Sequence, residues 1–343
     1  MAEILAMPKL DVHRHLTGSI TADVAIRVAA THNLALPTYI SRDLTRELFP
    51  KDHVDSHAEY FVPWRLLNNL FSSTAALRDL ILNAIASAAL DNVVYLELRL
   101  GPRGISEDAT YSFQEFAKCV AQAVADGSER NGIVTKCILG IPRHVFTRLT
   151  PEKRRRVLAE MLDVIQRYPN CFVGVDLNGD EETASGREFE AFFKMAKVRG
   201  LGVTIHAGEV SRESQEILIA VTELGAARIG HGIAAGGDQN ALSLLHEKQV
   251  CLEVCPTSNE MLGVVASIDR LPLRAFWEND VPFIICTDNP ARCGTSLSEE
   301  LYKVAKAFSL SGGDLRGMSV NATNHIFADE HTKRRIRAKM QGS

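Results

Sequence analysis

Short apolar runs alternate along the chain with longer stretches in which apolar positions recur every three or four residues. The short runs predict strands at residues 10–12, 93–98, 133–139, 172–175, 203–205, 227–229, 250–254 and 283–285. The longer stretches predict helices at 74–90, 112–125, 151–168, 186–198, 211–224, 240–247, 270–279 and 296–310. Punctuation supports several of them. Pro151 follows Thr150, as at a helix start with proline in its first position. Ser296-Leu-Ser-Glu299 has capping-box spacing. Gly200 follows a Lys-Val-Arg run, as at a helix end. The last strand begins just after Pro282, where a proline is tolerated. Strand–helix units repeated in this way predict an α/β chain folded as a (β/α)8 TIM barrel, with the doubly wound open sheet as the competing architecture.

One connection is too long for a single helix. Residues 13–92 separate the first two strands, and residues 22–71 carry helical patterns, Pro37, Pro50 and Pro63, and the aromatics Tyr60, Phe61 and Trp64. A single domain over 1–343 is expected, with residues 20–72 inserted after the first strand as a helical cap on the barrel's active face. A cap so placed is expected to gate release by moving. The final residues read as a helix ending in the basic run 333–339, a solvated face.

Composition narrows the class. The 343 residues are 46% hydrophobic and 23% charged, with net charge −4, so no basic field invites nucleic acid or an anionic membrane. No stretch has the uninterrupted apolar length of a spanning helix, and the N-terminus lacks the basic, apolar pattern of a signal peptide. Seven cysteines, an odd number and mostly in apolar runs, fit reduced thiols and a cytoplasmic location. Cys251 and Cys255 are separated by three residues, and no CxxC exists, which argues against a zinc ribbon or a cysteine-ligated deaminase site.

Polar residues fall at the downstream end of one strand after another, where barrels build active sites. The first strand leads into His13-Arg14-His15, and residues two apart in an extended chain face the same way. The fifth leads into His206-Ala-Gly-Glu209, the sixth into His231, and the eighth into Asp288-Asn289. Imidazoles and a carboxylate converging at one mouth suit a divalent metal such as zinc. The fourth strand leads into Asp176-Leu-Asn-Gly-Asp180-Glu181 rather than a lysine that could bridge two metals, so one ion per chain is expected. Arg14 points away from the ligands and suits a structural ion pair.

These segments together resemble the adenosine deaminase family of the amidohydrolase superfamily. The resemblance is carried by residues 7–19, by Tyr95-Leu-Glu-Leu-Arg99 with Pro102, and by Pro142-Arg-His144. It continues through 176–181, His206-Ala-Gly-Glu209, Arg228-Ile-Gly-His-Gly232, Cys255-Pro-Thr-Ser-Asn259 and Thr287-Asp288. It implies one zinc held by His13, His15, His206 and Asp288. It implies that Glu209 donates a proton to purine N1, that His231 orients the attacking hydroxide, and that Asp288 also takes its proton. It places Gly179 at ring N3 and counts His15, Thr17 and Asn289 among the substrate contacts. Asp180, Glu181, Ser258 and Asn259 are expected to support the mouth through hydrogen bonds.

Two positions depart from the family's pattern. Adenosine deaminases proper have an aspartate where Thr17 stands; threonine brings no charge to repel a 5′ phosphate. N6-modified-AMP deaminases carry an uncharged polar residue there, share the form seen from Leu96 to Arg103, and end in a segment like Ile326-Phe-Ala328. Asn289 replaces a second aspartate at purine N7, and its amide can donate there without holding an extra proton. The reaction implied is zinc-dependent hydrolytic deamination of a 6-aminopurine nucleoside such as adenosine or deoxyadenosine. The alternatives are a 5′- or N6-modified substrate, of the N6-methyl-AMP or aminodeoxyfutalosine type, and a catalytically weak purine-binding protein on the same fold. The expected partner is a small purine, with neither nucleic acid nor membrane involved, and the oligomeric state stays open.

Overall fold

The computed structural model describes residues 1–49, 62–101 and 111–342, with the backbone alone for 62–64. Eight strands form one sheet in sequence order: β1 (Lys9–His15), β2 (Val93–Leu100), β3 (Val134–Pro142), β4 (Phe172–Asn178), β5 (Gly202–Ala207), β6 (Arg228–His231), β7 (Cys251–Val254) and β8 (Phe283–Ile285). Every neighbouring pair is parallel. The ring closes through an isolated bridge between Arg14 and Asp288. There the His15 N–H donates to Asp288 O and the Asp288 N–H donates to His13 O, each at 2.8 Å. Closure therefore happens at the end of the barrel where the candidate ligands stand. This is the (β/α)8 barrel expected from the alternation.

The strands are buried on both faces, as a helix-covered parallel sheet requires, so they read as continuous apolar runs. Leu80, Ile81, Leu162, Phe192 and Phe193 pack from the helical layer onto that sheet in one large core. A smaller cluster joins Leu10, Val12, Tyr95 and Cys251 to Ile326, Ile336 and Met340 of the C-terminal segment. The helix Glu330–Gln341 buries Ile336 and Met340 and leaves Arg334, Arg335 and Lys339 exposed, as the basic run predicted. All seven cysteines are buried. Among the described residues no helix is long and apolar enough to cross a membrane.

The elements depart from expectation in physically readable ways. β1 does not end before the histidines but runs through His15, with a register shift between Asp11 and Arg14. The helix expected over 211–224 is Gln215–Thr222, and the Ser211 N–H before it donates to Glu181. The stretch 270–279 is broken by Pro272 into the 3₁₀ turn Ile268–Arg270 and the helix Leu273–Glu278. The stretch 186–198 opens as a 3₁₀ turn, Gly186–Phe189, before Glu190–Val198. Thr150 caps its helix as read, accepting from Lys153 N–H with Pro151 in the first turn. Ser296 accepts from Glu299 N–H, which is half of the capping box.

The expected cap contains the helices Ala22–His32 and Ser41–Leu48 and the 3₁₀ segment Val62–Phe71. They pack on one another and, through Ala22–His32 and Val62–Phe71, on the helix Thr74–Leu90. Pro50, Tyr60, Phe61, the Trp64 side chain, Pro102 and Arg103 lie outside the described residues.

Candidate active site

The strand ends bring His13, His15, His206 and Asp288 together. One nitrogen or oxygen from each lies within 4.8 Å of all the others. His15 Nε2 stands 3.3 Å from His206 Nε2 and 3.3 Å from Asp288 Oδ1. His13 Nε2 is 3.5 Å from Asp288 Oδ1 and is buried without a hydrogen-bond partner.

The opposite nitrogens explain this. Glu253 Oε2 stands 2.8 Å from His13 Nδ1, and Asp176 Oδ1 stands 3.0 Å from His206 Nδ1. Each carboxylate accepts a hydrogen bond from the Nδ1–H, and with the ring proton on that side Nε2 is a lone pair aimed at the common centre. Burial alone would raise both acids. Asp176 is instead held far below the carboxylate range by His206 and Arg99, and Glu253 by Arg99 and Arg228. Burial pushes His15 down to about 3, so its ring is neutral at pH 7. Lone pairs and a carboxylate crowded into one dry point repel unless a cation lies among them. The donor set, three imidazoles and one carboxylate, fits a divalent ion.

A second grouping, His13, His231 and Cys255, also has the spacing for a metal. It needs a thiolate. Burial pushes the Cys255 thiol well up, and its Sγ sits 3.5 Å from the Glu253 carbonyl as a donor. The histidine–aspartate set is the better site.

Glu209 and His231 face that centre from the side. His231 Nε2 is 3.4 Å from Glu209 Oε1, with both residues buried. Burial lowers the His231 pKa to about 4, so the ring is neutral at pH 7. The Asn259 amide nitrogen lies 3.1 Å from His231 Nδ1, which places the ring proton on Nε2, a buried atom without a hydrogen-bond partner. Ser258 Oγ donates to Asp288 Oδ2 at 2.7 Å and fixes that carboxylate's free oxygen. His231 and Asp288 both hold left-handed backbone, with φ of 63° and 56°. Side chains rarely adopt that region, and it turns each functional group inward at the end of its strand.

Other expected residues divide into those that hold the mouth and those that do not. Glu181 accepts four consecutive amides, from Gly208, Glu209, Val210 and Ser211, at 2.7–2.9 Å. It thereby fixes the loop that carries Glu209. Asp180 does not support the mouth as expected; it accepts from Glu182 N–H and shapes only its own turn. Arg14 is structural: it donates to the hydroxyls of Ser19 and Ser87, and the nearby charges of Asp11 and Asp91 favour its charged form. Gly179 has φ of 84°, so no side chain stands there without strain. Asn289 is buried with Oδ1 unpartnered, packed so closely on Gly18 that a Cβ there would lie 2.0 Å from that oxygen. Thr17 begins the short 3₁₀ turn after β1 and is half-buried.

Sequence reasoning passed over Glu253 entirely, and over Asp176, Arg99 and Arg228 as groups that orient the ligands, although the last two stand in motifs of the family resemblance. Arg99 joins the two orienting acids: its Nη2 donates to Glu253 and its Nε lies 3.3 Å from Asp176 Oδ2. The available signal was charge inside strands that are otherwise apolar. Gly230 was also missed. A Cβ there would stand 3.0 Å from His13 Cε1 and 3.3 Å from the His206 ring. Gly230→Ala is therefore expected to weaken divalent-metal binding about tenfold by tilting those rings. Chelator competition measures this, and unchanged affinity would show that the rings absorb the methyl.

The family model described as adenosine deaminase matches residues 8–342. The chain belongs to the adenosine deaminase family. Members of that family are metal-dependent hydrolases acting on C–N bonds. The chain is 28% identical over 335 residues to an adenosine deaminase of Clostridium botulinum, covering 96% of this chain and 97% of that protein. Among solved structures, the apo N6-methyl-AMP deaminase of Arabidopsis thaliana is 25% identical with a TM-score of 0.84, covering 100% of this chain and 98% of that one. The Arabidopsis ADAL protein in complex with GMP is 26% identical with a TM-score of 0.84 over the same shares.

Proposed function

We propose that this protein is a zinc-dependent hydrolytic deaminase of a 6-aminopurine nucleoside, producing the 6-oxo purine and ammonia. The observation that carries the reading is the pairing of Glu209 and His231 beside the histidine–aspartate centre, with one ring proton and one carboxyl aimed into a dry site. His13, His15, His206 and Asp288 are the zinc ligands in this reading. Zinc bound there lowers the pKa of water and so provides a nucleophile near neutral pH. The side chains do the rest. Glu209 holds a proton at purine N1, where charge accumulates when C6 is attacked. His231, neutral and donating from Nε2, orients the attacking oxygen and balances its charge. Asp288, with Ser258 on its other oxygen, accepts the proton that oxygen gives up. Gly179 lets the ring approach the backbone at N3, and Asn289 meets N7. The chain is read as one domain with residues 20–72 as the cap.

The sugar end favours a 5′ group that adenosine deaminases proper exclude. Thr17 puts no carboxylate at that rim, and relatives of similar likeness bear both an adenosine deaminase and an N6-methyl-AMP deaminase name. Adenosine, deoxyadenosine, AMP, N6-methyl-AMP and aminodeoxyfutalosine form the test panel, scored by ammonia or methylamine release. Thr17→Asp is expected to lower kcat/KM on the 5′-phosphorylated substrates about tenfold by repulsion across the mouth, and to leave adenosine within about threefold. Equal losses on both would remove Thr17 from the 5′ contact.

A further inference from the structure

The end of the barrel opposite the mouth is closed by residues 325–327, which no step of the reaction touches. Phe327 fits because the strands above it lack side chains at two points. A Cβ on Gly174 or Gly202 would stand 2.8 or 2.3 Å from the ring. The Phe327 N–H donates to Glu97 Oε1 at 2.6 Å, and the Tyr95 hydroxyl donates to the same oxygen at 2.8 Å. Above the ring lies Arg228, with its guanidinium carbon 3.6 Å from the ring centroid.

All three nitrogens of that guanidinium are engaged. Nη1 donates to the His325 carbonyl at 2.8 Å, Nη2 to Glu97, and Nε to Glu253 Oε1 at 2.6 Å. A planar fork fixed on three edges and stacked on an aromatic face has no freedom to slide. Glu253 inherits that position. With Oε1 held by Arg228 and by the Thr204 hydroxyl at 3.1 Å, its Oε2 meets His13 Nδ1 at 2.8 Å. The contacts thus run unbroken from the barrel floor to a ring at the opposite end.

We propose that Phe327 is a positioning residue for the metal centre: it fixes Arg228, Arg228 fixes Glu253, and Glu253 fixes the rotation and tautomer of His13. This rests on the reading of His13 as a metal ligand. A plug that only filled space would contribute stability and leave the mouth indifferent to its aromatic face.

The test uses full-length protein with cobalt(II) as the probe. Phe327→Leu keeps an apolar plug but removes the face beneath the guanidinium. Leu162→Ala is the control, since Leu162 is fully buried in the helical layer outside the barrel. Both variants are expected to unfold at lower urea than wild type. Only Phe327→Leu is expected to weaken cobalt binding, about tenfold by chelator competition, and to change the visible band of the cobalt-loaded protein. Should Phe327→Leu fail to fold, Phe327→Met, unbranched and closer in length, is read in the same way. Wild-type cobalt affinity and band in the Phe327 variant, or an equal loss of affinity in Leu162→Ala, overturns the inference. A wild-type chain that binds no cobalt overturns the metal reading first, and is distinguished by that result.

Discussion

Glu209→Gln is expected to lower kcat by about a thousandfold or more while the metal stays bound. The carboxyl lies 3.4 Å from His231 Nε2 in a buried site, and it is not one of the four residues that converge on the metal position. Its backbone is held independently, through the Glu181 carboxylate that accepts the Glu209 N–H at 2.9 Å. Glutamine therefore keeps the loop and the shape. It also keeps a donor, but an amide does not surrender its proton to N1 as a carboxylic acid does, and it cannot be reprotonated for the next turn. General-acid groups of this kind typically contribute ~10²–10⁴ in rate. Ammonia release at saturating substrate gives the loss, and elemental analysis gives the metal. A variant that keeps its rate would remove Glu209 from the chemistry; one that loses the metal would make the defect structural.

Glu253→Gln is expected to cost both metal affinity and stability, because the carboxylate stands directly behind His13. Glu253 accepts from Arg228 Nε at 2.6 Å, from Arg99 Nη2, and from Thr204 Oγ1 at 3.1 Å, and it meets His13 Nδ1 at 2.8 Å. An amide supplies one acceptor where four groups need two. If its nitrogen faces His13, the ring proton moves to Nε2 and the lone pair meant for the metal is lost. If it faces Arg228, two donors confront one another. Loss of an orienting carboxylate costs about 10–100-fold in metal affinity, and leaving buried guanidinium groups without their anion costs about 3–5 kcal/mol.

The same residue sets a pH dependence. The Glu253 carboxyl ordinarily titrates at 4.5; burial pushes it up, and the two arginines more than reverse that and hold it well below. A depressed folded pKa means that the stabilisation is complete above the ordinary value and is lost as pH falls beneath it. Wild-type urea midpoints are expected to start falling below about pH 6.5, where His15 and His231 stay neutral only in the folded chain, and to fall further below about pH 4.5 as Glu253 contributes, with that lower part of the decline reduced in Glu253→Gln. A variant with wild-type metal affinity and an unaltered acid limb would show that His13 needs no carboxylate behind it.

Much of this was legible in the sequence because strands buried on both faces are apolar without interruption. Their polar residues then stand out at the ends, as His206 does after Val203, Thr204 and Ile205. The cysteines, the helical layer and the convergence of imidazoles and a carboxylate were read from that contrast, while the particular ligand set was what the family resemblance implied. Charge inside the strands was the unread part. Glu97, Arg99, Arg228 and Glu253 interrupt β2, β6 and β7, and their partners lie 25–154 residues away. Periodicity carries no record of which distant acid meets which base. Backbone conformation was equally hidden. His231 and Asp288 adopt φ of 63° and 56° without being glycine, and Asp288 does so at the bridge that closes the barrel. The loop after β5 shows the same limit. Its amides from Gly208 to Ser211 converge on Glu181, a distant residue, and the helix expected from residue 211 begins only at Gln215.

The central claim is hydrolytic removal of a purine 6-amino group that depends on the histidine–aspartate centre. It is tested most directly by stripping the protein of metal, adding zinc back in steps, and measuring ammonia released from adenosine and the other aminopurines of the panel. The account predicts silence without metal and activity rising in proportion to zinc until the ligand set His13, His15, His206 and Asp288 is filled, at one ion per chain. Full activity in the stripped protein, or no ammonia from any aminopurine once that ion is bound, would contradict it.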